Sequence, residues 1–60
     1  VKPTLVIRAT ERDMHSVVVY RQYGDTISEA YMMRRDALFQ AISHPRIRDQ
    51  FADIRYDNRL

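Results

Sequence analysis

The chain contains no cysteine. Disulfides, thiolate zinc sites and a cysteine nucleophile are excluded together. No apolar run exceeds four residues, the longest being 17–20 and 30–33. A membrane span needs about 20 such residues and a secretory signal an apolar core of roughly 7–15. Neither is read here, and the absence of thiols fits a reducing, cytoplasmic setting. Glycine occurs once (Gly24) and proline twice (Pro3, Pro45). That leaves no glycine-rich phosphate loop and no low-complexity linker. The chain opens on Val1 rather than Met, which leaves Met removal and excision from a longer protein both open.

Catalytic patterns are equally sparse. HExxH and GxSxG are missing. The two histidines, His15 and His44, stand far apart without carboxylates at metal-ligand spacing. Ser16 follows His15 directly, and adjacent residues on a strand point to opposite faces, so they form no nucleophile–base pair. The expectation is a non-enzyme with no catalytic residue, no metal and no cofactor.

What is present is one domain's worth of chain, 60 residues, read as a single unit over 1–60. A chain this short buries only about 60% of the surface its unfolded form exposes. Without disulfides or a metal, it needs either a very good core or a second subunit. A homodimer is the expected state, with a larger protein as a further candidate partner.

Nine arginines and one lysine oppose eight acids, a net charge of +2. The acids are interleaved: Glu11 and Asp13 beside Arg12, Asp36 beside Arg34 and Arg35, Asp49 beside Arg46 and Arg48. A nucleic-acid footprint is normally a clustered basic patch. The preference for arginine suits bidentate carboxylate or phosphate contacts; base composition of the source genome explains it equally well.

Residues 4–10 are rich in β-branched types and read as a strand, with Leu5, Ile7 and Ala9 on one face and Val6 and Arg8 on the other. Residues 11–14 form a polar connection. Residues 15–23 read as a second strand, with Val17, Val19, Arg21 and Tyr23 on one face and Ser16, Val18, Tyr20 and Gln22 on the other. Apolar groups on both faces imply that both are covered.

Gly24-Asp25 reads as the end of this hairpin. Thr26-Ile27-Ser28-Glu29 matches a capping box, and residues 27–42 contain no Gly or Pro, so a long helix is expected there. Pro45 suits the first turn of a second helix, with Ser43 or His44 as its cap. Ile47, Phe51 and Ile54 recur at helical spacing over 45–55; the alternative is a third strand over 51–56. Residues 57–60 read as a frayed end. The expected fold class is α+β: a two-stranded antiparallel hairpin, a long helix and a short C-terminal helix, ββαα, with ββαβ as the alternative.

On a helical wheel, Ile27, Ala30, Tyr31, Leu38, Ala41 and Ile42 form one stripe, with Met32 and Phe39 on the far side of Arg35. Arg34 falls inside the main stripe, as a snorkelling side chain or paired with Asp25, Asp49 or Asp53. Such a helix offers more apolar surface than one hairpin hides. Either the second helix covers Met32 and Phe39, or another chain does. Exposed apolar patches rimmed by charge mark contact sites.

The candidate protein interface is therefore Met32, Arg35, Phe39, Tyr31 and Arg34, with the sheet's edge strands as a second route to pairing. The rival is a small basic nucleic-acid-binding regulator. It would use Arg8, Arg21, Tyr20 and Tyr23 on a two-stranded ribbon in the major groove.

Overall fold

The structure, a computed structural model, describes residues 1–10 and 14–57. The connection expected at 11–14 lies outside it except for Met14, as does the expected frayed end beyond Asp57.

Two strands begin the chain, β1 (Thr4–Ala9) and β2 (Ser16–Tyr23), paired antiparallel with Leu5 opposite Arg21 and Ile7 opposite Val19. They are not a lone hairpin. They form the centre of a five-stranded mixed sheet, completed by β3 (Thr26–Ile27), β4 (Tyr31–Arg34) and β5 (Asp53–Asp57). Both β3 and β4 pair antiparallel with β2, one after the other along its outer side. On the opposite side of the sheet β5 pairs parallel with β1. Two short helices, α1 (Arg35–Ile42) and α2 (Pro45–Arg48), connect β4 to β5.

The expected ββαα architecture is thus overturned, and with it the long helix over 27–42. Only residues 35–42 are helical; residues 26–27 and 31–34 are strand. The cause begins at the turn. Tyr23 pairs with Thr26, so Gly24-Asp25 is a two-residue hairpin loop that turns the chain back along β2. Gly24 has φ +61° and Asp25 lacks positive φ, the type II′ pattern whose twist matches the flanking strands. A side chain at Gly24 would be strained by that φ, although space around it is open.

Within the capping-box sequence, Ser28 does different work. Its backbone N–H donates to the Arg21 carbonyl at 2.9 Å, and its hydroxyl accepts the Arg21 N–H, also at 2.9 Å. The side chain replaces the backbone carbonyl in the ladder, and the chain bulges. Between the pairs Gln22–Ile27 and Val19–Tyr31, β2 spends residues 20–21 while its partner spends 28–30. One extra residue is the definition of a β-bulge. It also resets which side chain faces which way. Met33 lies opposite Val17 and enters the core; Met32 lies opposite Val18 and points out.

The core sits between the sheet and the helices. Leu5, Ile7, Val17, Val19 and Leu38 are buried, with Met33, Ile42, Phe51 and Ile54 packed against them. Helix α1 begins after Arg34, which is extended and makes no side-chain cap. Asp36 serves the first turn instead, accepting the Ala37 N–H at 2.8 Å. Pro45 opens α2 at the position expected, but His44 precedes it without a side-chain cap. The Ser43 hydroxyl donates to the Gln40 carbonyl at 2.7 Å. The second helix ends at Arg48, so the strand alternative for the C-terminus describes β5 better than the helix over 45–55 does. Among the described residues no helix is long and apolar enough to cross a membrane.

The sheet's other face carries no helix, yet Val6 there is fully buried. By register it lies between Tyr20 and Arg55. The Arg55 guanidinium reaches over β1 from β5 to donate to the Gln22 side chain on β2 at 3.3 Å. Its aliphatic stem roofs the strand it crosses.

Candidate functional site

The residues singled out from the sequence do not gather on one helix. Tyr31, Met32 and Arg34 are on β4, while Arg35 and Phe39 are on α1. Phe39 packs against Tyr56 of β5, with ring centroids 6.1 Å apart, so it is covered in part by its own chain. Arg34 pairs with Asp36, at 3.2 Å from Nε, rather than with Asp25, Asp49 or Asp53. That hydrogen bond, aided by the Ala37 N–H, holds the Asp36 carboxyl below its ordinary pKa.

The nucleic-acid candidates divide. Arg8 and Tyr20 are on the helix-free face; Arg21 and Tyr23 are on the helix face. Arg8 is paired with Asp57 at 3.3 Å. The four therefore fall into two pairs, one on each face, and the arginine on the helix-free face is already engaged by Asp57.

The feature that does come together is the β4 edge. Its backbone orientation follows from two hydrogen bonds. Ser28 N–H donates to Arg21 C=O, and Arg35 N–H donates to His15 C=O at 2.8 Å. The odd-numbered residues of β2 therefore turn their polar backbone groups toward β3 and β4. In an antiparallel ladder hydrogen-bonded and non-hydrogen-bonded pairs alternate, so Val17–Met33 and Val19–Tyr31 are bonded pairs and Val18–Met32 is not. The N–H and C=O of Met32 point away from the sheet. Nothing among the described residues lies beyond β4 to meet them. The side chains of Met32 and of the preceding Tyr31 are exposed and uncharged, at 53% and 52%, and Arg34 closes the strand with a charge.

The opposite edge is built differently. Even-numbered residues of β2 face β1, so Leu5 and Ile7 turn toward β5 and leave Ile54 and Tyr56 as its outward residues. The Ile54 N–H is taken by the Asp53 carboxylate at 2.9 Å. Asp53, Arg55 and Asp57 alternate along the strand. Charge on an edge and a filled donor are ways that proteins block strand addition. The β5 edge combines a filled donor with alternating charge, whereas on β4 the charge is confined to Arg34 at its end.

Beside the β4 edge, Met32, Val18, Tyr20 and the 56% exposed Ile27 form an apolar strip on the helix-free face. Arg8, Asp57, Arg55 and Asp53 occupy the far half of that face. At the bulge itself there is an open depression of about 490 Å³, lined by Arg21, Ser28, Glu29, Ala30 and Tyr31. A second cavity under α1, lined in part by Leu5, Met33, Leu38 and Phe51, holds about 130 Å³, below the roughly 300 Å³ at which small-molecule sites begin. Among the described residues no group of His, Asp or Glu could hold a metal ion.

Sequence reading placed Tyr31, Met32 and Arg34 in the interface set but on the wrong element. It missed the bulge and the role of Ser28. The available signal was Gly24-Asp25, a two-residue hairpin dipeptide followed by a segment able to pair with β2. No family model, curated protein or solved structure matches the chain.

Proposed function

We propose that this protein is a small non-enzymatic protein-binding module that associates by strand pairing at the β4 edge, its simplest partner being a second copy in a cytoplasmic setting. One observation carries the reading: the backbone N–H and C=O of Met32 point outward with no partner among the described residues, beside the exposed side chains of Tyr31 and Met32. An antiparallel strand laid there would extend the sheet, its main-chain hydrogen bonds giving affinity and its side chains specificity. Composition supports the same reading, since a domain without cysteine has no disulfide to stabilise it and gains buried surface from a partner.

Proline makes a clean test. On an edge strand with its N–H toward solvent, proline removes a donor that the chain itself does not use. Met32→Pro therefore keeps the Val17–Met33 and Val19–Tyr31 bonds and abolishes edge pairing. Met33→Pro breaks a bond within the sheet and unfolds the protein. Sedimentation equilibrium is expected to find a wild-type dimer at micromolar to millimolar concentrations and a folded Met32→Pro monomer. A folded Met32→Pro variant that dimerises like wild type, or a wild type that stays monomeric at 1 mM, a chosen concentration near the weak end of specific association (~ −4 kcal/mol), overturns the reading.

A further inference from the structure

Resting on that reading, we infer that the two copies pair β4 to β4 antiparallel about a two-fold axis at Met32, and that Glu29 of each copy meets Arg35 of the other. An edge residue whose N–H and C=O both point outward can exchange two hydrogen bonds with the same residue of a symmetry mate, because a two-fold interface is self-complementary. Centring the pair on Met32 fixes everything else. Residues equally distant from Met32 on opposite sides face each other, so Tyr31 lies against the partner's Met33. That pair is non-hydrogen-bonded, the kind in which side chains approach most closely, and a methionine sulfur beside an aromatic ring is a favourable contact.

The charges fall symmetrically about the same point. Glu29 stands three residues before Met32 and Arg35 three after it. Both are exposed, and neither has an ion-pair partner among the described residues, where the ion pairs are Arg8–Asp57 and Arg34–Asp36. Arg34, by contrast, is engaged by Asp36, and it would face the partner's Ala30, which asks for no charge. The depression at the bulge holds Glu29 at the β4 side, with Arg21 one strand further in on β2. It is open to the side chain that this register delivers, the partner's Arg35. The bulge thus shapes the docking site as well as the strand.

Shifted registers lose this match. A two-fold axis one step along the outward-facing residues, at Arg34, puts Arg34 against the partner's Arg34 and Arg35 against the partner's Met33. Like charges directly opposed across strands are destabilising.

Charge reversal tests the register separately from the edge. In the proposed dimer Glu29→Arg brings two arginine pairs together and Arg35→Glu two glutamate pairs. Each variant alone is expected to dimerise roughly tenfold more weakly than wild type, from cross-strand pair energies. Mixed in equal amounts, they restore both attractive pairs and form a heterodimer of about wild-type affinity. Circular dichroism checks that each is folded; should a reversal fail to fold, Glu29→Gln and Arg35→Gln carry the test, each expected to weaken the dimer by about threefold on the same basis. Reversals without effect, or a mixture that is not rescued, overturn the register while Met32→Pro continues to report on the edge. A monomeric wild type overturns both.

Discussion

Ser28 shows how one side chain can redirect a chain. It lies between Thr26 and Glu29, the two ends of a helix-start pattern, and the Gly24-Asp25 dipeptide before it was the local sign of a hairpin instead. In the fold its hydroxyl accepts the Arg21 N–H, a bond no helix would offer. The pattern was legible; its use was not, because the Arg21 amide comes from seven residues away and only the Gly24 turn brings it near. Replacing Ser28 with alanine leaves that amide to water at a partly exposed site. The expected loss is about 0.5–1.5 kcal/mol, the usual net worth of one hydrogen bond, read from the urea-unfolding midpoint. An unchanged midpoint would mean that the Ser28 N–H bond holds the bulge alone.

At the scale of elements, α1 and β4 meet at Arg34, and the charge there sets a pH dependence. Asp36 has its pKa lowered chiefly by the Arg34 side chain, then by the Ala37 N–H. A depressed folded-state carboxyl stabilises the fold at pH above its unfolded value, and that support disappears as pH falls through the lowered one. A two-dimensional NMR titration is expected to place the Asp36 carboxyl midpoint below ordinary aspartate, with the Ala37 amide shifting in step. Arg34→Ala returns the midpoint toward ordinary.

Strand β4 also marks where sequence reading reaches its limit. Tyr31 and Met33 alternate with Met32 as a strand requires, yet the same residues fit a helical stripe, and runs this short do not separate the two. Tertiary pairing decided it. With β1 on one side, β2 has its other hydrogen-bonding side to fill, and the hairpin turn presents residues 26–34 to it. The faces of β1 and β2 were readable because their strands are long enough for alternation to be unambiguous. The pairing partners of a short apolar segment are a long-range fact.

At the scale of the whole molecule, the chain makes a slab of 33 × 26 × 16 Å, thin as one sheet with a single helical layer must be. Its burial is concentrated: Leu38 is the buried residue of α1, and the described α2 has none. Tyr31, Met32, Ile27 and Phe39 remain exposed. The helical wheel singled out Met32 and Phe39 as surplus apolar surface, whereas Ile27 and Tyr31 were expected to pack on the hairpin and are exposed instead. The location of that surface was not anticipated, since only the second half of the expected helix forms and much of its first half is strand. The fold relocates the candidate interface from a helix face to a sheet edge, where backbone groups as well as side chains are exposed.

The Met32 amide reports on that edge directly. It bonds to nothing among the described residues, so on the proposed pairing its hydrogen exchange follows association rather than folding. Residue-resolved exchange across a dilution series is expected to show it protected where sedimentation finds dimer and fast where it finds monomer. The neighbouring Met33 amide, bonded to β2, is expected to stay protected throughout. Fast exchange at Met32 in a fully dimeric sample would contradict pairing at β4.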